Sequence, residues 1–261
     1  MPLISVIMGV YNSNPDMLKK SVESLLNQTL GDFELIICDD NSETVSFDFL
    51  PNDERIKIIS SGKNKGLARS LNLCLEQARG KYIARQDDDD WSVPERFEKQ
   101  AAFLDSRPDI DFVGSDCALF DSDGEIHGVR QMPAEVDKKD FLFNSPFIHG
   151  SVMFRREILE NCRYRTVGRT KKYEDYDLFM RLYANGCKAA NINEQLYYFY
   201  YDTKLRSVSF KMRVDEYKVR MNGFKKLGLL PKGFFHAVKP LILGLMPGRL
   251  QMRLKKTFNK V

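Results

Sequence analysis

The chain has 261 residues, ordinary apolar content and no low-complexity tract, enough to bury a core as one large α/β unit or a domain with an appendage. Its five cysteines (Cys38, Cys74, Cys117, Cys162, Cys187) are odd in number and scattered, with no C-x-x-C pair, which argues against a disulfide framework or a zinc site and fits a reducing cytoplasm. The net charge of +4 conceals an asymmetry: from Lys204 onward 15 Lys and Arg face only Asp215 and Glu216, a balance of +13, which leaves −9 for the first 203 residues.

The apolar start at residues 3–10 predicts a buried strand; it lacks the basic segment and cleavage site of a signal peptide. Asn14-Pro15 reads as a helix cap followed by proline at the first helical position, with Leu18, Val22, Leu25 and Leu26 at helical spacing up to Gly31. Residues 33–38 predict a second strand ending in Asp39-Asp40-Asn41-Ser42, and 55–59 a third, followed by turn-rich Ser60-Ser61-Gly62-Lys63-Asn64-Lys65-Gly66. A helix over 67–78 leads through Gly80 to a short strand that runs directly into Asp87-Asp88-Asp89-Asp90. Four consecutive carboxylates repel one another unless something positive sits among them; the competing reading is a solvated acidic turn.

This β-α-β, β-α-β order argues for a parallel sheet covered by helices, in which ligands bind beyond the carboxyl ends of the strands. Three polar loops fall there: Tyr11-Asn12-Ser13, Asp39-Asp40 and residues 87–90. Acidic turns have no reason to share one rim, so a binding site gains ground over the solvated turn.

Farther on, Ser92-Val93-Pro94-Glu95 predicts a capping box that starts a helix to about residue 106. A strand at 111–115, a hairpin over 117–132 closing at Asp123-Gly124, a polar helix at 136–144 and a strand at 151–154 follow. Tyr173-Glu174-Asp175-Tyr176-Asp177 opens a helix with Leu178, Phe179, Leu182 and Tyr183 on its apolar face and Gly186 as its stop. Residues 196–201 form an aromatic strand. Basic helices over 208–227 and 234–258 come after a boundary near Lys204. No apolar run reaches the ~20 residues needed to span a bilayer.

In order and spacing these motifs resemble the family 2 glycosyltransferases, inverting nucleotide-sugar enzymes of GT-A fold. The resemblance rests on Ser5-Val6-Ile7-Met8-Gly9-Val10-Tyr11-Asn12, Asp39-Asp40-Asn41-Ser42, Asn64-Lys65-Gly66-Leu67-Ala68, Tyr82-Ile83-Ala84-Arg85-Gln86-Asp87-Asp88-Asp89-Asp90, His149-Gly150-Ser151-Val152-Met153-Phe154-Arg155-Arg156 and Glu174-Asp175-Tyr176-Asp177-Leu178. It implies an α/β, mostly parallel mixed sheet flanked by helices. The catalytic domain would span 1–203, its nucleotide-binding half about 1–115 and its acceptor half about 116–203, with 204–261 a basic helical extension.

The resemblance also assigns roles. Asp87-Asp88-Asp89 matches the D-x-D element, with Asp89 the principal ligand of Mn²⁺ or Mg²⁺ and Asp87 its support near the ribose; oxygen ligands suit such hard cations. Asp88 is left between donor binding and the variable middle position, and Asp90 between the cluster and a cap on the next turn. Val10, Tyr11, Asn12 and Asp39 would hold the nucleoside, Asp39 accepting from the uracil N3–H, while Asp40 is equally a turn cap. Lys65 and Arg69 lie near the same rim, as ribose or phosphate contacts or as solvated cations.

Asp175 matches the family's base, the group that takes the acceptor hydroxyl's proton, with the helix N-terminus expected to keep its pKa low. Glu174 and Asp177 are the substitutes, and ordinary first-turn capping is the alternative. His149 matches a position on the acceptor side, against the plainer reading of a packed histidine. The arginine and histidine that many relatives carry after the last core strand are missing; Lys204 or Arg206 would meet the diphosphate instead, or Asp202 the metal. The Q-x-x-R-W element of processive synthases is absent too, which favours addition of a single sugar.

In the extension, Phe234-Phe235-His236-Ala237-Val238-Lys239 and the apolar residues 241–246 precede Arg249, Arg253, Lys255 and Lys256, a combination suited to an anionic membrane surface. Packing on the catalytic domain and a dimer contact are the alternatives; no nucleic-acid recognition motif accompanies the charge. The expected activity is transfer of one sugar from a UDP-sugar to a glycan or polyprenyl-linked acceptor, in cell-surface polysaccharide assembly at the inner face of the plasma membrane. The rivals are a sugar-phosphate nucleotidyltransferase and an inactive nucleotide-sugar-binding scaffold.

Overall fold

The computed structural model describes residues 1–202 and 209–245, without the side chain of Arg169. β1 (Ile4–Val10) passes through α1 (Pro15–Leu26) to β2 (Phe33–Asp39), and β3 (Ile56–Ser60) passes through α2 (Leu67–Gln77) to β4 (Tyr82–Arg85). These four strands are parallel and lie in the order β3-β2-β1-β4. In that register Val10 faces Asp39 and Asp39 faces Ser60, while Ile7 faces Arg85. The polar loops therefore leave the sheet along one rim.

The chain continues as β5 (Trp91–Ser92), α3 (Arg96–Ser106), β6 (Phe112–Phe120), β7 (Ile126–Arg130), β8 (Met153–Arg155), α4 (Arg156–Asn161), α5 (Glu174–Ala184), β9 (Ala189–Tyr200), α6 (Phe210–Lys226) and α7 (Phe234–Leu245). Beyond β4 the sheet runs β8-β6-β9-β5, with β7 also on β6. β8 is antiparallel to both neighbours, β6 and β9 are parallel, and β5 returns antiparallel on the far end of β9.

Apolar alternation places a core on each face of the sheet. On one side Ile4, Val6 and Met8 pack with Leu18, Val22 and Leu25 of α1 and Phe97 and Leu104 of α3. On the other, Ile7 and Phe112 pack with Leu71 and Cys74 of α2, Phe179 of α5 and Phe224 of α6. Each large apolar side chain fully buried here contributes roughly 1.5–3 kcal/mol. α1 begins as expected, with Asn14 Oδ1 accepting from the amides of Asp16 (2.9 Å) and Met17 (3.2 Å). It ends at Leu26, short of Gly31.

Three expectations are corrected. The capping box at Ser92 does not form: Ser92 lies in β5, its hydroxyl donates to Gln86 Oε1 at 2.8 Å, and α3 starts at Arg96 without a side-chain cap. Residues 136–144 make only the 3₁₀ turn Asp140–Leu142. There Asp140 Oδ2 accepts from the Asp137 amide at 2.8 Å, and Phe141 is drawn into the core against Tyr176 and Tyr183. The strand expected at 111–115 runs to Phe120, because buried Asp116 accepts from the Met132 amide at 2.7 Å and so is tolerated mid-strand.

α6 packs tightly on α5: a Cβ on Gly223 would stand 2.1 Å from Met180 Sδ. Arg220 of α6 also donates to the carbonyls of Leu142 (3.2 Å) and Phe143 (3.3 Å). Among the described residues no helix is long and apolar enough to cross a membrane. Lys204, Arg206 and residues 246–261, including the tail cations from Arg249 onward, lie outside the described residues.

Candidate active site

The aspartate run is held at both ends. Gln86 follows β4 and its amide donates to Ile7 O at 3.2 Å, while β5 begins at Trp91, paired with Tyr198 of β9. Asp90 turns inward: its Oδ1 accepts from the Tyr200 amide at 2.6 Å, so it ties the turn to β9 rather than joining the cluster. Gln86 Nε2 holds the loop from below by donating to Asp90 O at 2.9 Å. With the ends fixed, Asp87, Asp88 and Asp89 present oxygens that lie within 4.8 Å of one another, half-buried at the rim.

Arg85 lies beneath them. It is fully buried, and its Nη2 donates to Asp87 Oδ1 at 2.5 Å. Its Nε and Nη1 have no hydrogen-bond partner. Burial works against its charge, but the carboxylate of Asp87 and the other anions around it raise its pKa. One cation does not neutralise three carboxylates. Burial, then repulsion from Asp87 and Asp88, raises Asp89 to about 7; burial, then Asp87, raises Asp88 to about 6 even though the Ser13 hydroxyl bonds its Oδ2. Buried Asp90 is raised well above the ordinary carboxylate range, chiefly by desolvation. A hard divalent cation fits this all-oxygen set, which carries more negative charge than Arg85 balances.

Glu174 and Asp175 open α5 across from the run, close enough that the fields of Asp87 and Arg85 reach both. The helix start does not keep them low. Burial raises Asp175 to about 6, outweighing the stabilising amides of Tyr176 and Asp175 itself, and burial with repulsion from Asp175 raises Glu174 to about 7. Asp177, named as a substitute, is buried and paired with Arg181 (2.7 Å) and Arg165 (3.3 Å). His149 is packed: its Nε2 meets the Tyr164 hydroxyl at 2.8 Å, its ring edges onto Phe179, and burial with the nearby Arg85 pushes its pKa well down, leaving a neutral ring.

The loops expected to hold the nucleoside are built to hold each other. Asn12, in the left-handed region at φ 49°, accepts on Oδ1 from the Glu43 amide at 2.9 Å, while its own amide donates to Ser42 Oγ at 3.0 Å. Asp39 Oδ1 accepts from the Ser42 amide at 2.9 Å. Tyr11 is 47% exposed and Val10 is buried at the end of β1. Asp40 is buried and accepts from the amides of Lys65 (3.0 Å) and Gly66 (2.7 Å) and from Ser61 Oγ (2.9 Å), fixing the loop that enters α2. The Lys65 side chain is exposed on that loop. Arg69 lies 3.9 Å from Glu76 on the same helix.

The sequence reading missed Arg85 as the cation under the cluster. Its signal was an arginine ending an apolar strand two residues before the first aspartate. It also missed Tyr197, fully buried, whose hydroxyl accepts from the Asp87 amide at 3.1 Å, and Tyr164 beneath His149 and the acidic pair.

Fold and rim together define an α/β glycosyltransferase. The chain belongs to glycosyl transferase family 2, whose model matches residues 5–175. It is 37% identical to the putative glycosyltransferase EpsE of Bacillus subtilis, over 98% of this chain and 94% of that protein. It is 30% identical to WfaP of Escherichia coli, a UDP-Glc:α-D-GlcNAc-diphosphoundecaprenol β-1,3-glucosyltransferase, over 93% and 95%. Among solved structures, Staphylococcus aureus TarS residues 1–349 in complex with UDP superposes with a TM-score of 0.66 at 22% identity, covering 93% of this chain and 70% of that one. That likeness concerns the fold.

Proposed function

We propose that this enzyme transfers a single hexose from a UDP-sugar, with inversion and with a divalent metal, to a glycan carried on a lipid diphosphate in cell-surface polysaccharide assembly. The observation that carries the reading is the pairing of two acidic groups on one rim: Asp87, Asp88 and Asp89 with oxygens within 4.8 Å, and Glu174-Asp175 within their electrostatic reach. WfaP, aligned over nearly the whole chain, supports the donor and acceptor classes.

In this reading Asp89, supported by Asp87, would hold Mn²⁺ or Mg²⁺, which when bound neutralises charge on the leaving diphosphate. Asp39 accepts from the uracil N3–H, beside Tyr11 and the Val10-Asn12 loop. Arg85 orients Asp87 through its hydrogen bond. Asp175 accepts the proton of the acceptor hydroxyl as that oxygen attacks the anomeric carbon from the face opposite the leaving group. Contact with the inner leaflet through the extension follows from the exposure of Phe235 (81%) and Leu245 (75%) on α7 and from the basic content of the tail.

The test is nucleotide release from a panel of UDP-, dTDP- and GDP-sugars with Mn²⁺, with and without a GlcNAc-diphospholipid acceptor. Product anomericity is read by NMR, and Asp175→Asn and Asp89→Asn are run in parallel. Acceptor-dependent release that Asp175→Asn abolishes, with UDP binding retained, is the expected result. Undiminished transfer by Asp175→Asn would remove Asp175 as the base, and a preference for GDP-sugars would remove the role given to Asp39.

A further inference from the structure

Beside Glu174 a groove of about 180 Å³ opens between the first turn of α2 and residues 165–172. Lys65, Arg165, Lys171 and Lys172 line it, and Glu174 is the one carboxylate among its lining residues. α2 starts at Gly66 without a side-chain cap, so its N-terminal field adds to that of the cations. Lys171 and Lys172 continue into an adjoining cavity of about 230 Å³, which Lys211, Met212 and the single carboxylate Asp215 of α6 also line. Next to it Phe210 is 50% exposed and packs under the end of α7, where a Cβ on Gly244 would stand 3.0 Å from its ring. α7 there carries the exposed Ile242 (51%) and Leu245 (75%).

We propose that this groove binds the diphosphate of the lipid-linked acceptor, a deepening of the function proposed above. Three chemistries follow one another along the surface: an acidic group where a hydroxyl must lose a proton, then a run of cations, then exposed apolar side chains. A lipid-linked glycan presents the matching series of sugar hydroxyl, diphosphate and hydrocarbon. In the function proposed above the donor's diphosphate is held at Asp87-Asp88-Asp89, none of which lines the groove. Of the groove cations, Arg165 is paired with Asp177 and Lys65 also borders the nucleoside loops, which leaves Lys171 and Lys172 surplus to the donor.

Lys171 and Lys172 are exposed, so Lys171→Ala/Lys172→Ala leaves the core intact; circular dichroism and a thermal melt verify this. The full chain, saturated with UDP and Mg²⁺, is titrated calorimetrically with farnesyl diphosphate, farnesol and inorganic pyrophosphate. The expected result is that wild type binds farnesyl diphosphate more tightly than either control. The double variant should lose about tenfold in that affinity, the scale of two partly exposed charge contacts, with UDP affinity unchanged. Equal affinity in wild type and variant, or no binding of farnesyl diphosphate by wild type, overturns the proposal. A loss confined to UDP affinity also overturns it and gives the groove to the donor. Failure of the function itself is read separately, as absence of UDP release from every UDP-sugar with lipid-linked acceptors.

Discussion

Asp87 and Asp89 are neighbours in one acidic cluster, yet their neutralisation should act in opposite directions on the metal-free protein. Asp87 is the hydrogen-bonded partner of a fully buried guanidinium whose other nitrogens have none. Asp87→Asn leaves Arg85 without its counter-charge, a loss that costs ~3–5 kcal/mol in buried pairs. Asp88 and Asp89 still attract Arg85, which puts the cost near the lower end, about 3 kcal/mol. For a chain of this size that corresponds to a fall in Tm of roughly 5 °C.

Asp89 is held at about 7 by burial and by repulsion from Asp87 and Asp88, so Asp89→Asn removes a disfavoured charge. Its metal-free Tm at pH 7.5 should equal or exceed that of wild type. The sign of the pH dependence follows. The folded state retains protons on Asp88 and Asp89 that the unfolded chain has released near its ordinary value of 3.8, so stability falls as pH rises from about 4 to about 7. Differential scanning fluorimetry at pH 5.5 and 7.5, in EDTA and in excess Mg²⁺, measures all of this. The pH-dependent loss should shrink in Asp89→Asn and with Mg²⁺. A lower Tm for Asp89→Asn than for Asp87→Asn in EDTA would refute the charge balance derived for the cluster.

Three further outcomes follow from the same geometry. Because Asp175 is raised to about 6 and, as the proposed base, must be ionised to accept a proton, kcat/KM should climb with pH through an apparent pKa near 6, and a flat profile from pH 5 to 8 would contradict the proposed role. Gly150→Ala would place a Cβ 2.1 Å from the Tyr197 hydroxyl and 2.9 Å from Asp87 Oδ2, displacing the tyrosine from the Asp87 amide. Crystallography should find that hydroxyl moved, with a stability loss of about 1–3 kcal/mol by chemical denaturation. Asp40→Ala orphans the amides of Lys65 and Gly66 and should cost about 2–4 kcal/mol in the same assay, with protease sensitivity appearing at residues 61–66.

The first half of the fold was legible because its strands are short apolar runs, its helices keep one apolar face, and Asn14-Pro15 marks a start unambiguously. The rim followed from topology alone, since parallel strands deliver their carboxyl-end loops to one edge. Legibility failed where long-range contacts decide local structure. Asp116 looks like a strand terminator until the Met132 amide arrives from the other side of the hairpin. Phe141 breaks a polar helix because a core position attracts it. In the site, Asp87-Asp88-Asp89 and Glu174-Asp175 are visible as residue types. The sinking of Arg85 beneath the cluster, the turning of Asp90 toward β9 and the pairing of His149 with Tyr164 are not, because each depends on partners from distant strands or loops. The helix-start argument for Asp175 failed on magnitude, burial outweighing the amides.

The contact between Gly223 and Met180 bears on how such enzymes are rebuilt. The helix that begins with Glu174-Asp175 has its opposite flank occupied by α6, at a separation only a glycine permits. Chimeras that exchange C-terminal portions between relatives to alter acceptor choice should therefore move α5 and α6 as one block. A junction placed between them would retain every acidic residue of the rim, yet seat the helix carrying Asp175 against a surface it was not shaped for.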